Sequence, residues 1–268
     1  MRNNPISLAS GVVPEFPPPV QAAAALAAGF DAAGIWVEPA NWTAKTTRQV
    51  RQALSGLPVL DVEVIWIKPG PANPDHFRIL DIGAEIGARN TLVVSSDPDF
   101  GAIAAKLAQL CEHVRSAEMR VALEFGLFTD VKTISDAHAI VSQIDHDNVA
   151  LLVDPIHLSR SGGSPKDVAK LPSRFIAYAQ FCDAPPTLPD LSDVKSIIHE
   201  AIDLRLLPGE GSLPLDDFLE SLPAKTPLSI ELRSKALRDT YPDATDRARA
   251  VAQATRNYLN KTTISGKT

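Results

Sequence analysis

Four apolar runs from residue 122 onward each carry an oxygen-bearing side chain: ALEFGLF has Glu124, LLVDPIHLSRSGG has Asp154, YAQFCDAP has Gln180 and LSIELRS has Glu231. Three carboxylates and one amide oxygen form a hard donor set for a single divalent ion. Mn²⁺ or Mg²⁺ suits it first, with Co²⁺ or Zn²⁺ as alternatives, and a sulfur-rich zinc site is excluded. Buried without a cation, the carboxylates would repel one another and lose their hydration, so one of them would hold a proton. Taken singly, each residue has an ordinary structural reading as a helix cap or an ion-pair partner. Their recurrence on successive runs, each flanked by apolar residues, is what singles them out.

Further polar and aromatic residues cluster around the same positions. His157 follows Asp154 in D-x-x-H, a spacing that lets an imidazole reach the same place. Arg160 follows it closely and offers a donor fork for an anionic or polyhydroxylated ligand. Arg205 opens the proline/glycine stretch RLLPGEG and is a second candidate clamp, although a surface arginine would look the same. Upstream, Glu38 with Trp36, Lys68 with Trp66, and Phe125 with Phe128 supply polar tips and an aromatic wall, residues that core packing would also explain. His76, His113, His138, His146 and His199 fall in helical or turn segments and read as structural or exposed.

These side chains can meet only if the elements carrying them share an end. Short β-branched runs alternate with segments of helical period, the pattern of repeated βα units. Strands are expected at 6–9, 34–37, 60–67, 91–94, 121–125, 150–153, 176–181 and 228–231. Helices are expected at 20–28, 46–54, 75–86, 103–117, 134–144, 165–171 and 191–202, with a last one at 244–259. No G-x-G-x-x-G follows the first strand, so an α/β single (β/α)8 barrel is favoured over an open dinucleotide fold. In such a barrel all strands end at one mouth, and the four oxygen ligands converge there.

Composition sets the outer bounds. The 268 residues are 45% hydrophobic with no linker-like segment, which fits one domain over residues 1–260 and a polar tail over 261–268. Lysine and arginine number 26 against 32 acidic residues, a net charge of -6 that argues against nucleic acid and for a small-molecule partner. Cys111 and Cys182 form no CxxC and suit a reducing cytoplasm. Neither a signal peptide nor a membrane span is expected. Homo-oligomerisation is common for barrels, but no segment marks an interface.

The stretches ALEF, LLVDPIHLSRSGG, YAQFCDAP, RLLPGEG and LSIEL, in this order, resemble the sugar phosphate isomerase/epimerase group of the xylose isomerase-like superfamily. The resemblance spans nearly the whole chain. It implies a barrel with one metal held by the later strands, Glu124 and Glu231 as paired acid/base carboxylates, and His157 as a substrate contact. The third ligand is frequently histidine in that group. Gln180 stands there in this chain, as in hydroxypyruvate isomerase and bacterial 3-dehydroshikimate dehydratase, which look similar. The endonuclease branch needs a histidine-rich cluster that this chain lacks. The expected activity is isomerisation or epimerisation of a keto sugar or other hydroxy-carbonyl compound, by proton transfer between the two glutamates. Dehydration of a cyclic β-hydroxy ketone such as inosose or 3-dehydroshikimate is the nearest rival, and a non-catalytic sugar-binding barrel is the reading from another class.

Overall fold

The computed structural model describes residues 4–265, with side chains described to residue 261. Eight parallel strands close on themselves in sequence order, β1 through β8, with β8 pairing back to β1. They are β1 Ile6–Leu8, β2 Ala32–Trp36, β3 Val59–Ile67, β4 Ala88–Ser95, β5 Arg120–Glu124, β6 Val149–Val153, β7 Ile176–Gln180 and β8 Leu228–Ile230. All eight expected strands are present, displaced by no more than a few residues at their ends. The α/β barrel expected from the alternation is therefore the fold.

Alternation along each strand divides two cores. Outward residues such as Ile6, Leu8, Val121, Leu123, Leu151 and Val153 pack under the helices. Inward residues fill the lumen with Ala32, Leu92, Ala122, Ala150, Leu152 and Tyr178, small side chains making room for the one phenol. The same alternation turns Glu124 inward and Phe125 outward, where Phe125 is fully buried in the outer core.

The helices begin where their sequences dictate. Thr43 and Thr133 cap α2 (Ala44–Leu54) and α5 (Ile134–Val141) with reciprocal capping boxes. Asn73 caps α3 (Pro74–Ile86), which has proline in its first turn and ends at Gly87 in the left-handed region, φ 78°. Asp99 caps α4 (Phe100–His113). Before them lies α1 (Pro18–Ala27). Following β6 come α6 (Pro155–Arg160) and α7 (Pro165–Ala169). Beyond β7 lie α8 (Val194–Asp203) and α9 (Leu215–Ser221). After β8 come α10 (Lys235–Thr240) and α11 (Ala244–Ser265). Helix α11 thus runs past the expected end at Leu259 into the segment read as a polar tail; residues 266–268 lie outside the described residues.

Candidate metal centre and cavity

Glu124 and Gln180 are the last residues of β5 and β7, and Asp154 and Glu231 directly follow β6 and β8. Parallel closure therefore brings all four to one mouth. Asp154 is fully buried, and the other three are nearly so. The end of the Gln180 carboxamide stands 2.6 Å from Asp154 Oδ2 and 2.9 Å from Glu124 Oε1. With its NH₂ turned there, the amide donates to both carboxylates. With its carbonyl oxygen there, three oxygens converge on a point that a cation, or a proton on one of the carboxyls, would satisfy.

His157 completes the cluster. One ligand atom each from Glu124, Asp154 and His157 lie within 4.8 Å of one another. Burial pushes the Glu124 carboxyl well above the usual carboxylate range, and the neighbouring Asp154 adds to it. Burial alone would raise Asp154 too, but Arg205 holds it below its ordinary value. Arg205 Nη1 donates to Asp154 Oδ2 at 2.6 Å, and its Nε donates to the Ala201 carbonyl at 2.7 Å. Burial depresses His157 to about 4, leaving a neutral imidazole able to ligate. Crowded donors, with the Glu124 carboxyl pushed up by burial and then by Asp154, fit a divalent cation.

Glu231 stands outside this tight set. Its Oε1 accepts from Arg233 Nε at 2.8 Å, because Arg233 lies two residues on and on the same side. Its Oε2 is buried and unpartnered. A cavity of about 260 Å³ joins the two halves, lined by Glu124, His157, Gln180, Arg205, Glu231 and Arg233 at its polar end. Trp36, Trp66, Phe128, Ile198 and Ile202 line the apolar remainder.

The other expected contacts separate into two groups. Trp36 and Trp66 line the cavity. Glu38 and Lys68 instead line a neighbouring cavity of about 300 Å³ that shares those two tryptophans. Arg160 does not reach the cavity. Its guanidinium is buried and donates to Glu200 at 2.6 Å and to the Pro185 carbonyl at 3.0 Å, tying α6 to α8. Phe125 faces the outer core, and Phe128 takes its place against the His157 ring, with centroids 5.0 Å apart. Arg205 lines the cavity, yet its donors are directed at Asp154 rather than at a ligand.

Four contributors were not visible in the strand-end reading. Glu63, inside β3, lines the cavity with Oε1 unpartnered. Burial, reinforced by Glu231, pushes its carboxyl up to about 7. Asp61, two residues earlier, is also raised well above its ordinary value, by burial first and Glu63 second, and accepts from the Tyr178 hydroxyl at 3.4 Å. The pattern D-V-E inside an otherwise apolar strand was the available signal. Arg233 and Gly11 are the others: a Cβ at Gly11 would collide with Glu231 Oε1 and Arg233 Nε. Among the expected structural histidines, His113 pairs with Asp81 at 2.7 Å, and His199 with Asp203 at 3.2 Å, both on the surface.

The closed barrel and its mouth belong to a known family. The profile described as xylose isomerase-like TIM barrel matches residues 22–258, and the chain is a member of that family. Among curated proteins, a 3-dehydroshikimate dehydratase of Pseudomonas putida is 27% identical over 264 residues, which covers 90% of this chain and 40% of that protein. A solved xylose isomerase-like TIM barrel/4-hydroxyphenylpyruvate dioxygenase fusion protein superposes with a TM-score of 0.76 at 23% identity, over 97% of this chain and 44% of that one. The chain thus spans less than half the length of either relative. The IolI protein with a bound zinc atom has a TM-score of 0.76 at 15% identity, with 96% and 97% of the two chains covered. Among the described residues, no helix is long and apolar enough to cross a membrane.

Proposed function

We propose that the chain is a divalent-metal-dependent enzyme that removes a proton next to a carbonyl in a small hydroxy-carbonyl compound. Elimination of water from a cyclic β-hydroxy ketone is its reaction, with 3-dehydroshikimate as the first candidate. The observation carrying this is the convergence of Glu124, Asp154 and Gln180 within hydrogen-bond distance, beside a cavity whose other wall is aromatic and aliphatic. The similarity to the Pseudomonas putida dehydratase favours elimination over the isomerisation that the family resemblance alone put first. A cation held by Glu124, Asp154 and Gln180, with Glu231 or His157 completing the set, would stabilise negative charge developing on the carbonyl oxygen. Glu231 Oε2, buried and unpartnered, is suited to take the α-proton. Glu63 faces the same cavity with a carboxyl that holds its proton near neutrality, ready for the departing hydroxyl, which leaves as water. Trp36, Trp66 and Phe128 exclude solvent and give a ring a flat surface.

Isomerisation or epimerisation remains the second reading, favoured by two glutamates on one cavity. It differs only in returning the proton to carbon. The discriminating experiment incubates Mn²⁺- or Mg²⁺-loaded protein with 3-dehydroshikimate, an inosose and keto sugars, and follows aromatic or enone absorbance beside a sugar assay. Absorbance with 3-dehydroshikimate is expected, abolished by a chelator and reduced by a factor of about 10² to 10⁴ in Glu231→Gln. Sugar interconversion without absorbance would replace elimination by isomerisation. Binding with no turnover of any compound would leave a sugar-binding barrel.

A further inference from the structure

Two guanidiniums line the cavity, and they differ in what they have left to give. Arg205 is buried and spends its donors on Asp154 Oδ2, the Ala201 carbonyl and, at 3.3 Å, the Glu231 carbonyl. Arg233 uses Nε for Glu231 Oε1, and among the described residues its two terminal amino groups make no hydrogen bond. Its side chain is 25% exposed, and the residue lines the cavity. The apolar side of the cavity offers them no acceptor, and no hydrogen bond joins them to Glu63.

Arg233 is also held in place. Its stem and Nε lie so close over Gly11 that no side chain fits there, and Glu231 fixes the near edge of the guanidinium. A planar cation anchored along one edge, with its outer fork free, matches the two oxygens of a carboxylate. A lone hydroxyl would engage only one arm of such a fork.

We propose that Arg233 anchors a carboxylate carried by the substrate, so that the cavity takes small cyclic hydroxy-carbonyl acids in preference to neutral keto sugars and inososes. This rests on reading the cavity as the hydroxy-carbonyl site described above, and it narrows that reading to an acid.

The test compares two probes that share vicinal ring oxygens and differ in one group, 3,4-dihydroxybenzoate and catechol. Binding to the Mn²⁺-loaded protein is followed by calorimetry and by quenching of tryptophan fluorescence, since Trp36 and Trp66 border the cavity. The wild type is expected to bind the acid roughly tenfold or more tightly than catechol. Arg233→Met should bring the acid down to the level of catechol and leave catechol unchanged, while Arg233→Lys keeps part of the preference. Equal binding of both probes by the wild type, no binding of either, or a preference that survives in Arg233→Met overturns the assignment. Parallel weakening of both probes in Arg233→Met also overturns it, because Arg233 would then only be positioning Glu231. Failure of the wild type to dehydrate 3-dehydroshikimate would strike the proposed reaction and leave this comparison standing.

Discussion

Glu63 shows how much chemistry a single strand position can carry. Its carboxyl has an ordinary value of 4.5 and is pushed to about 7 in the fold, by burial first and Glu231 second. A raised acid contributes fully to stability below the lower value and loses that contribution as pH rises through the higher one, so the penalty is complete near pH 8. Glu63→Gln should therefore stabilise the metal-free protein at pH 8 by up to about 3 kcal/mol and change little at pH 4. Urea titrations at the two pH values measure this, and an identical difference at both would show that Glu63 does not titrate there. Glu124, Asp154, Gln180 and Glu231 were legible because a strand end has a fixed address in a barrel. Arg160 was not: only the three-dimensional approach of α8 reveals that Glu200 claims its guanidinium. Phe125 and Phe128 were interchangeable by type, and strand alternation decided which of them met the cavity.

Among the elements, the strands were readable because β-branched runs recur at regular intervals. Helices α6 and α10 were not, since PIHLSR and KALRDT are six residues each and show less than two turns of periodicity. The loop RLLPGEG looked like a presenter of side chains, and what shapes it is Asp183. That carboxylate accepts from the backbone nitrogens of Gly209, Gly211 and Leu213, each at 3.0 Å, and from Ala184 at 2.8 Å. A side chain at Gly211 would strike both Asp183 and the Ala184 carbonyl. Asp183→Ala strands several buried donors and should lower stability by about 2–4 kcal/mol. It should also weaken metal binding, through the displacement of Arg205 from Asp154. Thermal melts with and without Mn²⁺ would register both effects, and an unchanged metal response would separate the loop from the centre.

At the level of the whole molecule, most of the later mouth was predictable and the earlier half was less so. Strands β5 to β8 deliver their polar residues at the rim, whereas β3 places Asp61 and Glu63 within its length. A cation bound only by the folded barrel must stabilise it: Mn²⁺ at about 100 times its Kd adds about 2.7 kcal/mol, which is several degrees in Tm for a chain of this size. That shift should shrink in Glu124→Ala, and an equal shift in both proteins would move the ion elsewhere. Asp154 joins this centre to the architecture around it. Its Oδ1 receives the Ile156 amide at 2.7 Å and so starts α6, while Oδ2 faces Arg205 and Gln180. One carboxylate is thus a hinge pin shared by the proposed seat of the ion and by the short helix that carries His157, so a lesion at this position should unfasten the imidazole and weaken ion binding together.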